Sequence, residues 1–96
     1  MTEKEQYKQK IQAQLDEWKA DIAKLKAKAA GAKADAQIAM NKQVEALEGK
    51  LERAQNKLSE LSEASEEAWD STKKAAESAW DSLKSALYDA KSRFKD

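Results

Sequence analysis

Apolar residues recur along this chain at helical spacing almost from end to end. From Ile11 they fall at Leu15, Trp18, Ile22 and Leu25, the alternation of four and three steps that lines side chains along one side of an α-helix and forms a coiled-coil seam. The stripe thins to Ala29, Ala32 and Ala36. It then continues through Met40, Val44, Leu47, Leu51, Ala54, Leu58 and Leu61, with one extra four-residue step. A connecting loop has no reason to keep helical phase, so the pattern predicts one amphipathic helix over about residues 3–61 that passes through Gly31. A lone glycine costs such a helix only about 1 kcal/mol. The competing reading is that Gly31 ends a shorter first helix. Thr2 and Glu5 have the spacing of a capping box, with Glu3 and Glu5 in a first turn where the helix dipole favours negative charge.

Beyond Lys57 the period changes. The blocks KLSELSEASEE, AWDSTKKAAES, AWDSLKSALYD and the shorter AKSRFKD repeat in steps of eleven. Eleven residues make almost three turns, so the repeat keeps one face of a helix. It aligns Leu58, Trp69 and Trp80 in one column, Leu61, Thr72, Leu83 and Phe94 in a second, and Ser65, Ala76 and Leu87 in a third. A parallel row, Ala64, Ala68, Ala75, Ala79, Ala86 and Ala90, lets another backbone come close. Within the repeat, SEASEE (residues 62–67) is the best place for a turn. Ser62 or Ser65 can cap a following helix, and Glu66 and Glu67 then sit in its first turn. The pattern therefore predicts a turn over about 62–66 and a helix over about 67–94.

These elements define an all-α fold. A long coiled-coil helix is followed by a shorter helix that folds back on it as a helical hairpin. A hairpin of that kind leaves residues 4–30 without a partner and their stripe in water. Either the chain turns near Gly31 to make a three-helix bundle, or the first arm finds a second copy. The expected oligomer or partner interface comprises Ile11, Leu15, Trp18, Ile22 and Leu25 on the first arm, and Trp69, Trp80, Leu83, Leu87 and Phe94 on the last helix. Nothing separates the 96 residues into more than one domain, and at that size a single-chain core is thin and oligomerisation is a common remedy.

Composition narrows the function. Charged residues make up 38% of the chain, with 18 basic against 18 acidic, so no net field draws it toward nucleic acid. Histidine and cysteine are both absent. That removes disulfides, thiol chemistry, ordinary zinc sites and histidine acid–base catalysis, and no cofactor is expected. The acids Glu60, Glu63, Glu66, Glu67 and Asp70 cluster without an intervening base, but a solvated helix start explains them better than a metal site, since di-metal carboxylate bundles use Glu-x-x-His pairs. Trp18, Trp69 and Trp80 all fall on the apolar stripe and read as packing residues before they read as platforms for bases or lipid. The chain opens without an apolar leader, and no window approaches the roughly 18 apolar residues of a membrane span.

The segments QLDEWKADIAKLKAKA, KADAQI and LERAQNKLSELSEASEEAWDSTKKAAESAWDSLKSALYDAKSRF carry a resemblance. Most of residues 10–94, and most specifically the doubled AW-x-x-x-K block at Ala68 to Lys73 and Ala79 to Lys84, resembles a family of small bacterial coiled-coil proteins described as stress-response proteins. Gly31, where a polar helix former is expected, and Thr72, where the second block has Leu, depart from that pattern. The eleven-residue repeat bears a looser, compositional likeness to late-embryogenesis-abundant proteins. The family has no catalytic residues to carry over, and the resemblance implies a cytoplasmic, non-enzymatic helical scaffold or protective protein. Its expected partner is itself, with client proteins or a membrane surface beside it. The rival expectation is a peripheral membrane protein whose repeat helix, residues 68–94, lies on lipid.

Overall fold

A computed structural model of the chain describes residues 2–94. Its regular elements among those residues are all α-helices, with α1 at Glu3–Ala30, α2 at Ala34–Glu63 and α3 at Glu66–Arg93. The last two residues of the AKSRFKD block lie outside the described residues.

Local chemistry sets each boundary. At the start of α1 the Thr2 hydroxyl accepts from the Glu5 backbone N–H at 3.2 Å, and at the start of α3 the Ser65 hydroxyl accepts from the Ala68 N–H at 3.2 Å. Both caps occupy backbone donors that the first turn of a helix leaves unmatched. Glu66 and Glu67 open α3, and Lys91 and Arg93 close it, each favourable to the helix dipole. Between α2 and α3 only Ala64 and Ser65 lie outside helix, inside the span expected for the turn.

The helix expected to run unbroken over 3–61 is corrected. The chain turns at Gly31, Ala32 and Lys33. Short bonds from the Gly31 N–H to the Lys28 carbonyl (3.2 Å) and from the Ala32 N–H to the Ala29 carbonyl (3.1 Å) close α1. Lys33 is extended, with φ −64° and ψ 154°. The reason is a contest of magnitudes. An unbroken helix keeps a few more backbone hydrogen bonds, each worth about 1 kcal/mol net, but leaves the α1 stripe in water. Turning buries Ile11, Leu15, Trp18, Ile22 and Leu25, all at most 8% exposed, and burial of such side chains contributes about 1.5–3 kcal/mol each.

The three helices run up, down and up along a molecule of 51 × 21 × 17 Å. α1 packs along α2 and α2 along α3, while few backbone positions of α1 and α3 come close. One core runs the length of the molecule. It takes Ile11 to Ala29 from α1, Val44 to Leu61 from α2, and Ala76, Leu83, Leu87, Ala90 and Phe94 from the end of the chain. Leu15 and Leu83 have no exposed surface.

Candidate functional site

The residues expected at an interface between copies are used inside one chain. Ile11, Leu15, Trp18, Ile22, Leu25, Leu83, Leu87 and Phe94 are all buried in the common core, and Trp69 and Trp80 are half-buried against it. In this conformation none of the first eight presents a surface to a partner.

Where α1 and α3 run side by side, large side chains fill the space between them. Trp18 meets Trp80 edge to face, with ring centroids 5.8 Å apart, and Tyr7 meets Trp69 the same way at 6.2 Å. Edge-to-face contact sets the positive rim of one ring against the negative face of the other. Cations cover the outer pair: the Lys4 ammonium stands 5.1 Å from the Trp69 ring centroid and the Lys73 ammonium 4.7 Å from that of Tyr7. The Tyr7 hydroxyl donates to Glu77 Oε1 at 3.1 Å. Further along, Lys91 reaches Asp21 at 2.8 Å, and the Lys28 ammonium donates to the Phe94 carbonyl at 3.0 Å.

Tyr7 lies outside the apolar stripe that the pattern predicts from Ile11 onward. It stands one four-residue step before Ile11, in phase with that stripe. Burial, then the hydrogen bond to Glu77 and the charges of Glu77 and Asp81, push its phenol from 10.0 up to about 12. A phenol shifted that way holds its proton and serves as a hydrogen-bond donor, which is the opposite of what a general base needs. The indole N–H of Trp80 is buried with no hydrogen-bond acceptor. Its ring packs edge to face with that of Trp18.

The outer surface carries shallow grooves, one of them near Glu5, Lys8, Gln12 and Ser62. A groove of about 340 Å³ runs between α2 and α3, with Lys50, Arg53 and Lys57 on one side and Ala75, Ser78 and Ser82 on the other. It exists because the alanine row of α3 faces α2 there and leaves room. Its lysines are already engaged, Lys50 donating to Ser82 Oγ at 2.8 Å and Lys57 pairing with Glu60 at 3.2 Å. The turn at Ala64 and Ser65 divides the acidic cluster, with Glu60 and Glu63 on α2 and Glu66, Glu67 and Asp70 on α3. Among the described residues no three acidic side chains are placed to hold a metal ion. Among the described residues, Ile38 and Tyr88, 60% and 78% exposed, are the large apolar side chains left in water.

No protein family model, curated protein or solved structure matches the chain. The functional reading therefore rests on its own residues.

Proposed function

We propose that this chain is a non-enzymatic helical scaffold or protective protein that works as a three-helix bundle and associates reversibly with itself. The observation that carries the reading is how the side chains are used. The apolar faces of all three helices are spent on one another, and the aromatic and charged groups between α1 and α3 tie helix to helix rather than line a cavity. Such a molecule acts through shape, helical stability and surface. A bacterial, cytoplasmic setting and a stress-protective role follow from the resemblance of the doubled AW-x-x-x-K block and belong to the same proposal.

Peripheral membrane binding through α3 is the second reading, favoured by the run of Trp69, Trp80 and Phe94 on one face. It requires α3 to leave the bundle, because Leu83, Leu87 and Phe94 are at most 4% exposed. Among the described residues no helix is long and apolar enough to cross a membrane. Sedimentation velocity over a wide concentration range, with flotation on neutral and anionic vesicles, separates the two. A scaffold gains mass with concentration and ignores vesicles. Strong co-flotation with a blue shift of tryptophan emission sinks the scaffold in favour of the membrane protein.

A further inference from the structure

The turn at Gly31–Lys33 is built unlike the turn at Ala64–Ser65. Drawn as a single helix at about 100° per residue, α1 and α2 place all their buried residues, Ile11 to Ala29 and Val44 to Leu61, within one arc of about 100°. Two helices joined by a loop have no need of that agreement. Other observations point the same way. α2 begins at Lys33 with no side-chain cap, whereas α1 and α3 are capped by Thr2 and Ser65. Gly31 is already on the helical side of the map, at φ −90° and ψ −1°, and Lys33 needs only its ψ turned from 154° to the helical range to join it. Finally, the stripe positions at the turn are the poorly covered ones. Ala32 and Met40 are half-buried and Ala36 is exposed.

From this geometry we infer that the chain exchanges α1 with a second copy of itself, straightening at residues 31–33 into one helix from Glu3 to Glu63. In the dimer, α1 of each copy packs on the apolar faces of its partner's α2 and α3 and makes the contacts it now makes within one chain. Phase continuity is what allows this, since only an in-phase helix presents both halves of its stripe to the same side. The two long helices cross antiparallel near Ala32 and Ala36, whose small side chains permit close approach and are covered there. Straightening also gives the first N–H groups of α2 the carbonyls of Ala30, Gly31 and Ala32 as partners, the first of which now accepts from the Gln37 side chain at 3.3 Å. The inference deepens the self-association proposed above and rests on it.

Two substitutions act on the turn and leave the core intact. Ala34→Pro places proline at the first position of α2, where it fits, and holds Lys33 extended. In the straight helix it would stand in the interior of both copies, so dimerisation should weaken on the order of ten-thousand-fold. Gly31→Ala meets only the Lys28 carbonyl, at 3.8 Å, and should tighten the dimer roughly ten-fold by raising helix propensity. The chain has no native cysteine, so spin labels can be placed uniquely at Ala20→Cys and Glu45→Cys. These positions lie across α1 and α2, whose axes are about 10 Å apart when turned; in the straight helix they are about 38 Å apart. Labelled protein diluted into unlabelled copies and equilibrated at high concentration reports the distance within one chain. The expected result is a dimer carrying the long distance, lost with Ala34→Pro. A dimer that keeps the short distance, or that Ala34→Pro leaves unchanged, overturns the exchange while leaving self-association standing. A chain that stays monomeric even with Gly31→Ala overturns both.

Discussion

Tyr7 joins three interactions: an edge-to-face contact with Trp69, a cation over its ring, and a hydrogen bond to Glu77. Folding raises its phenol from 10.0 to about 12, so the native state holds that proton more tightly than the unfolded chain. The stability this contributes is complete below pH 10 and is lost as pH rises through 12. The melting temperature of the wild type should therefore fall relative to that of Tyr7→Phe across this window, and Glu77→Gln should narrow the difference. Parallel curves would show that the phenol is not held against α3. In the core, Leu15 and Leu83 have no exposed surface, and truncating either to alanine should cost about 2–5 kcal/mol in urea unfolding. Ile38→Ala, at a side chain 60% exposed, should stay within about 0.5 kcal/mol of wild type.

The two inter-helix turns differ in chemistry, and the difference decides how legible each was. Ser65 announces itself: a polar residue stands where the stripe wants an apolar one, and two glutamates follow it. Ser65→Ala should cost about 1 kcal/mol. Lys33→Asp should stabilise the turned chain by a similar amount, because α2 starts without a side-chain cap. If thermal melts do not respond to Lys33→Asp, α2 does not begin where Lys33 now ends the turn. The break at Gly31 carries no such announcement. Alanines surround it, no proline or asparagine marks it, and the stripe crosses it in phase, so local pattern alone favours a through-going helix. Only the question of what covers Leu15 and Trp18 brings the chain back on itself, and that is a property of the whole core. The contacts between α1 and α3 were less legible still. Helical periodicity says which side of a helix is apolar, but it does not say that Trp18 meets Trp80 or that Lys91 reaches Asp21. The eleven-residue repeat did give α3 its face, and Ala76, Leu83, Leu87 and Phe94 are buried in the columns it defines.

At the scale of the whole molecule, equal numbers of acids and bases are spread over a narrow rod of helices. Ion pairs such as Lys4–Glu66, at 3.9 Å, and Lys26–Glu48, at 4.0 Å, join neighbouring helices in the open. Exposed pairs contribute little and are screened by salt. The melting temperature should therefore move by no more than a few degrees between low and high ionic strength, a result easily read by circular dichroism. The same spectra at micromolar concentration should be those of a folded helical protein. A disordered spectrum that becomes helical only with detergent or drying would instead support a desiccation-protein mode of action. Two of the chain's three tryptophans, Trp18 and Trp80, stand 5.8 Å apart at 62°, close enough for their electronic transitions to couple. That pair is a built-in optical gauge of α1 against α3. Its near-ultraviolet signal should vanish when the first helix peels away, while the far-ultraviolet signal persists. Because either copy can supply the other ring, the gauge registers docking and is blind to whose helix has docked.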